Sequence, residues 1–467
     1  MITDVVEEFA DSDLGDERLS GRLSQIAAAV AARPDAPFPS IFPRSAELEA
    51  FYRFLRNERV EPGDVLEPHQ QATVERAADF ETVIAAHDTT EFVFRGDRSN
   101  LGRLKQGTAG FLAHVSLLVS PDDLRDPLGV AAIESWSRTG KSATAKRKQG
   151  LSYSKARTLK TEQSRWGRQV DEVHKRIGEA AEIVHVMDSE ADDYTLICQL
   201  VGAQHRFVIR LCYDRCLDVD GSKSAPWRKT KEFLASAETL CTRRVKLAKR
   251  RAARGRARVR GQGREERNAA LAITACSVVF ARPSSVSVEL PRSVSVNVVA
   301  VTEPHPPSGA EPVEWMLITT EPIDDEQQVL RIVDYYRARW TIEEYFRVLK
   351  TGCAYEKRQL ESFRTLHAAL AIFIPIAWSL FRLRTIGRRE DDTPALAVLT
   401  PEQLEVLRLR SEKPVPRKMR AHRAMHLIAE LGGHIPRNGP PGWEVLGRGY
   451  RQLLDLTAAY TLLKRKM

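Results

Sequence analysis

Six cysteines in 467 residues (Cys198, Cys212, Cys216, Cys241, Cys276 and Cys353) are too few for a disulfide scaffold. Cys212 and Cys216 lie close together, yet no second Cys/His pair stands at zinc-ligand spacing, so a zinc module is not expected. The cysteines read as reduced thiols in a cytosolic protein. The opening MITDVVEEFADSD is acidic and lacks the apolar centre of a signal peptide. No apolar run reaches the roughly 20 residues that a spanning helix needs. The longest, Leu366 to Phe381, holds His367 and Pro375 and ends at Arg382, so it reads as a buried helix and no membrane partner is expected. No internal repeat is found.

What is present is an ordinary globular balance, 43% hydrophobic and 28% charged, which excludes wholesale disorder. The length calls for two to four domains. Lys and Arg number 71 against 62 Asp and Glu, a net charge of +9. The excess is local: 12 basic and 2 acidic residues fall between Arg243 and Arg267, and the remainder carries 59 basic against 60 acidic. That run suits a polyanion contact, with a solvated loop as the plain alternative.

Along the chain, residues 1 to about 65 read as helical. Asp16 opens a run with Leu19, Leu23, Ile26 and Ala27 at helical spacing and Arg18 and Arg22 on one flank, and a second helix spans Ser45 to Arg56. The Glu61-Pro62-Gly63-Asp64 turn marks a boundary. From about 80 the pattern alternates. Strands are expected at Val83–Ala86, Glu91–Phe94, Ala113–Val119, Val130–Ile133, Ile183–Met187 and Phe207–Arg210, with a polar helix over Glu162–Ala181 and another from Ala191. This is a mixed α/β sheet. Period-two segments at Leu271–Phe280, Val286–Val288 and Val294–Val298 place an antiparallel β insertion at about 215–322. A long helix follows from about Asp325 to Lys350, and the rest is helical.

Two aspartates share a context. Asp88 is read as ending the strand Val83–His87, and Asp188 as ending Ile183–Met187. A carboxylate at a strand end is held by rigid backbone, and hard divalent cations take such oxygen ligands. Either alone also suits a turn cap. On the long helix Tyr336, Arg339, Glu343 and Lys350 are spaced so as to share one face, beside an apolar stripe of Tyr335, Ile342, Phe346 and Leu349. A solvated amphipathic face is the plain reading. A carboxylate between two cations and a phenol equally suits a metal beside a phosphate backbone.

The pattern Tyr336-x2-Arg339-x3-Glu343-x6-Lys350 resembles the signature of the insertion-sequence-four family of DDE transposases, and within it the Tn-five type. Leu14-Gly15-Asp16 with Arg18 and Arg22, and Tyr52 to Asn57, resemble that family's N-terminal module. His87-Asp88-Thr89-Thr90 and Asp188-Ser189-Glu190-Ala191-Asp192 resemble its two aspartate motifs. Arg206–Arg210 and Trp315–Pro322 resemble the flanks of its insertion. Leu431-Gly432-Gly433, Gly442-Trp443 and Gly449-Tyr450 resemble its C-terminal part.

The resemblance implies a multidomain α/β protein: a helical DNA-binding domain at 1–65, a ribonuclease-H-like catalytic domain with its β insertion at 66–365, and a helical C-terminal dimerisation domain at 366–467. Asp88, Asp188 and Glu343 would be the catalytic triad and the metal ligands, holding two Mg2+ ions for which Mn2+ substitutes. Tyr336, Arg339 and Lys350 would hold phosphates, Trp315 would receive a base flipped from the duplex, and Arg210 would lie near it. Arg18 and Arg22 would face the transposon end. The partners implied are double-stranded DNA, both inverted-repeat ends and target, and a second copy of the chain in the synaptic complex. The setting implied is the bacterial cytoplasm, at the nucleoid. Cleavage would pass through a DNA hairpin before strand transfer. Three other readings remain: a ribonuclease-H-like nuclease without transposition, an RNA-binding protein using the Arg243–Arg267 run, and a catalytically silent DNA-binding relative that inhibits transposition.

Overall fold

The computed structural model describes residues 5–96, 101–104, 107–138, 162–218, 228–247, 265–389, 391–411, 414, 416, 418–435, 437 and 441–466. In chain order the main elements begin with helices α1 (Glu17–Ala32), α2 (Ser45–Arg56) and α3 (Pro62–Ala77). Strands β1 (Thr82–Val93), β2 (Gly110–Val119) and β3 (Pro127–Trp136) follow, then α4 (Arg165–Ile177), β4 (Glu182–Met187), α5 (Tyr194–Gly202) and β5 (Arg206–Arg210). Next come β6 (Cys216–Leu217), β7 (Arg228–Lys229), β8 (Cys241–Leu247), β9 (Arg267–Ala281), β10 (Ser293–Thr302) and β11 (Glu314–Thr319). The last are α6 (Glu326–Ala338), α7 (Trp340–Arg347), α8 (Phe363–Gly387), α9 (Pro401–Arg410), α10 (Ala421–Leu431) and α11 (Trp443–Lys466). The mixed α/β class expected from the pattern is the one observed.

The chain forms two compact units, one of residues 1–150, 171–182 and 340–467, the other of 151–170 and 183–339. The first unit gathers the N-terminal helices, an antiparallel meander in the order β3-β2-β1, and the C-terminal helices. Asp16 caps α1 by accepting from the Arg18 amide at 2.9 Å, and Leu23, Ile26, Ala27 and Val30 line its buried face. The boundary expected at Glu61–Asp64 is instead the start of α3, with Pro62 at the first helical position, where its missing N–H costs nothing. That helix binds what lies on either side of it. Gln70 donates to the Ala131 carbonyl at 3.1 Å, while His69 and Arg76 hold the buried Glu8 carboxylate. Glu8 is pulled down to about 2: His69 and Arg76 outweigh a burial that alone would raise it.

Helix α8 is longer than the apolar run suggested and is buried along most of its length, Pro375 included. By length and composition it could cross a membrane, but most of its apolar window packs inside this unit. A guanidinium anchors it to the N-terminal region: Arg358 donates to the carbonyls of Pro34, Ala36 and Cys353 and stacks against Phe38 and Phe373.

In the second unit β4 and β5 run parallel, joined through α5, whose N-cap Asp193 accepts from the amides of Thr195 and Leu196. Beyond β5 the neighbours are antiparallel: β11, then β10, then β9, with β8 and β6 both on β9. Trp166, Tyr194, Phe207 and Phe280 fill the core. The strand expected at Val286–Val288 is a pair of turns between Pro283 and Pro291, since proline cannot donate to a ladder. The basic run lies mostly outside the described residues. Its ends are ion-paired, Arg243 to Asp334 at 2.8 Å and Lys246 to Glu266 at 2.7 Å, with Arg267 on Glu303.

Candidate functional site

In the first unit Asp88 does not end a strand. Pairing runs unbroken from Ile84 opposite Val119 to Val93 opposite Gly110, with Asp88 opposite Val115 in the middle. The Thr89-Thr90 pair, which falls between the strands expected at Val83–His87 and Glu91–Phe94, is β-branched and sits comfortably in the extended ladder. Asp88 is half-buried, and its Oδ1 accepts from the Thr89 amide at 2.7 Å. Its neighbours on the strand are locked: His87 Nδ1 lies 2.8 Å from Ser116 Oγ, and Thr89 Oγ1 lies 2.8 Å from His114 Nδ1. Burial, helped by His174, pushes His87 down to about 3, so it stays neutral.

Lys350 stands over the far end of the same strand. Its Nζ donates to the Glu91 carbonyl at 2.7 Å and lies 3.9 Å from Glu356, whose Oε1 accepts from the Val93 amide at 2.9 Å. Burial lowers the Lys350 pKa, while Glu356, Glu91 and Asp88 oppose that shift. Glu343 is half-buried in the first turn of α7.

The helix expected over Asp325–Lys350 is not continuous. It breaks at Arg339, whose amide bonds to the Tyr336 carbonyl three residues back, and a π-helical turn, Val348–Gly352, follows α7. The break falls where the two units divide. Tyr336 and Arg339 therefore belong to the second unit, and Glu343 and Lys350 to the first. Nor are the first two solvated, since both Tyr336 and Arg339 are buried.

The second unit brings five of the named residues into one neighbourhood. Asp188 ends β4 as expected and caps the turn Ser189–Ala191, accepting from the Glu190 amide at 2.9 Å. Burial raises its pKa and Glu190 adds to the rise, against the Glu190 amide and the positive charges of Arg339 and Arg165. The Arg339 guanidinium lies 5.9 Å from the centroid of Tyr336, which meets Trp315 edge-on at 5.6 Å. Arg210 donates to the Glu314 carbonyl at 3.4 Å beside Trp315. Burial raises the Tyr336 phenol, with Arg339 and Arg210 opposing. Trp315 is half-buried near the start of β11 rather than enclosed in the core.

Two supports escaped the sequence reading. Arg165 pairs with Glu190 at 2.7 Å, and Asp192 holds the buried Arg215 while accepting from the Cys212 and Tyr213 amides at 2.7 and 2.9 Å. Both partners lie more than twenty residues away in sequence, too far for local spacing to show. Arg18 and Arg22 are exposed one helical turn apart on α1.

Within neither unit, among the described residues, do three His, Cys, Asp or Glu side chains stand together as a metal site. The donor chemistry nevertheless suits a hard cation. Asp88, Asp188 and Glu343 are oxygen donors, and Asp188 is a half-buried carboxylate whose charge a cation would stabilise.

Residues 5–60 match the family described as transposase DNA-binding, and residues 159–377 match the transposase DDE domain. Two transposase family models thus match this chain, each over less than half of it. Arg18 and Arg22 fall within the residues matched to the DNA-binding family. Asp188, Arg210, Trp315, Tyr336, Arg339, Glu343 and Lys350 fall within the residues matched to the DDE family, whereas Asp88 precedes them. A solved structure similar to this chain is the piggyBac transposase synaptic complex with hairpin DNA, determined by cryo-EM. It is 12% identical, with a TM-score of 0.37 over 100% of this chain and 74% of that one, too slight a likeness to carry an argument.

Proposed function

We propose that this chain is a cut-and-paste DNA transposase of the insertion-sequence-four type, built on a ribonuclease-H-like core and working on nucleoid DNA in the cytoplasm. The observation that carries the reading is the match of residues 5–60 to a transposase DNA-binding family, followed in the same chain by the match of residues 159–377 to a transposase DDE family. The α1 helix presents Arg18 and Arg22 to the phosphates of an inverted-repeat end. Asp88, Asp188 and Glu343 would hold divalent cations, Mg2+ with Mn2+ as a substitute. Such ions stabilise the entering and leaving oxygens of phosphoryl transfer.

Around the scissile phosphate, Arg339 supplies a guanidinium already oriented by Tyr336 and by burial, so little side-chain freedom is lost on binding. Trp315, with its partly open face and Arg210 alongside, is the stacking platform for an extruded base, as a hairpin route requires. Lys350 spends one of its three N–H donors on the Glu91 carbonyl and keeps the others for a phosphate. The reading is tested by assaying nicking and end binding together: Asp188→Ala should abolish nicking and leave the gel shift with end DNA within about twofold. Equal loss of both would overturn it.

A further inference from the structure

Helix α7 carries Glu343 but is poorly equipped to hold itself. It is eight residues long, with a break before it and a π-helical turn after it. Helices that short are marginal on their own, so tertiary contacts must decide where this one points. On the inward side Ile342, Tyr345 and Phe346 are buried, and the Tyr345 hydroxyl donates to the Ile374 carbonyl of α8 at 3.1 Å. The remaining pin is polar. Glu344, the residue after Glu343, is gripped by two guanidiniums with different surroundings. Arg347 comes from the same helix and its side chain is 50% exposed, so it restrains nothing beyond α7. Arg384 comes from α8, its side chain is 9% exposed, and it donates to Glu344 Oε2 at 3.0 Å.

Arg384 is itself held from behind. Its guanidinium carbon lies 3.9 Å over the ring of Trp443, the first residue of α11, and that ring also packs on Phe381. Stacking on an aromatic face orients the planar fork toward its carboxylate. Burial lowers the Arg384 pKa to about 10, which leaves it charged at neutral pH. Successive helical residues project about 100° apart, so fixing Glu344 fixes the rotation of α7 and with it the direction of Glu343.

We propose that Arg384, stacked on Trp443 and paired with Glu344, is a positioning residue that aims Glu343, so that the C-terminal helix α11 is wired to the catalytic helix α7. The proposal rests on Glu343 being catalytic. The experiment compares Arg384→Met, Arg384→Lys and Glu344→Gln in the full-length chain. Arg384→Met keeps the stem and removes the charge. It should lower the single-turnover rate of end nicking at least about tenfold while the end-DNA Kd stays within about twofold, because misaiming a reacting group costs rate rather than docking. Amide exchange over residues 340–347 should quicken about tenfold in the same variant. Arg384→Lys, which keeps the charge but not the planar fork, should restore only part of both, and Glu344→Gln should reproduce the defect even if Arg384→Met folds poorly. Wild-type nicking in Glu344→Gln, or quickened exchange with an unchanged rate, would overturn the positioning role. Glu343→Ala serves as the separate check: should it nick like the wild type, the functional reading itself falls, whatever Arg384 does.

Discussion

At the scale of single residues, burial decides what each candidate group can do. Asp188 is a carboxylate whose pKa is raised chiefly by burial. A raised folded pKa means that the folded state binds the proton more tightly than the unfolded one. The charge of Asp188 therefore costs stability at neutral pH, and the cost fades as pH falls through the folded pKa and then the ordinary carboxylate range. Asp188→Asn should accordingly melt higher than the wild type at pH 7, lose that advantage by about pH 3, and still fail to nick DNA. Thermal melts at the two pH values, without added metal, check this. On α1, Arg22 is exposed and carries no such constraint. Arg22→Ala should weaken binding of end DNA and flatten its salt dependence by about one unit of slope, measured as log K against log salt. An unchanged slope would mean that this residue does not touch phosphate.

At the scale of elements, close backbone approach matters more than propensity. Helices α10 and α11 cross where Gly449 meets the turn of Ile428: a Cβ placed on Gly449 would come within 1.7 Å of the Ile428 carbonyl oxygen. Backbone cannot give way as a flexible side chain does. Gly449→Ala should cost about 1–3 kcal/mol by overpacking, read as an earlier denaturant midpoint at an unchanged m-value. The same scale shows how far local pattern could be read. Helices α1 and α2 stand where the 3.6-residue spacing of Leu23, Ile26 and the Ser45–Arg56 stretch places them. Local pattern divides β1 into two expected strands, Val83–Ala86 and Glu91–Phe94, because the ten-residue partner Gly110–Val119 that keeps it extended is remote in sequence. The expected helix through Arg339 has no proline or glycine to announce its break.

At the scale of the whole molecule the question is assembly. The last helix leaves Leu462 and Leu463 exposed while Leu453 is fully buried, so only part of its apolar face is used within the chain. We expect a free protein that is mostly monomeric and a complex of two proteins with two DNA ends once end DNA is added, because cutting that waits for both ends avoids a lone break. Light scattering with and without end DNA checks this. Single-protein complexes that cut to completion would defeat it.

What the sequence determined by itself is the set of parts: a helical module with Arg18 and Arg22 on one flank, a mixed α/β stretch, the order of the carboxylates, and the spacing of Tyr336, Arg339, Glu343 and Lys350. Those are properties of period and order along one chain, where neighbours are a few residues apart. Tertiary structure alone decided their environments. Tyr336 and Arg339 became buried companions of Asp188 in one unit, and Lys350 was turned onto the Glu91 carbonyl in the other. Glu344 was caught between Arg347 and Arg384. The physical reason is that burial and charge pairing depend on which distant segments meet, and a pattern with a period of a few residues holds no information about groups tens or hundreds of positions away.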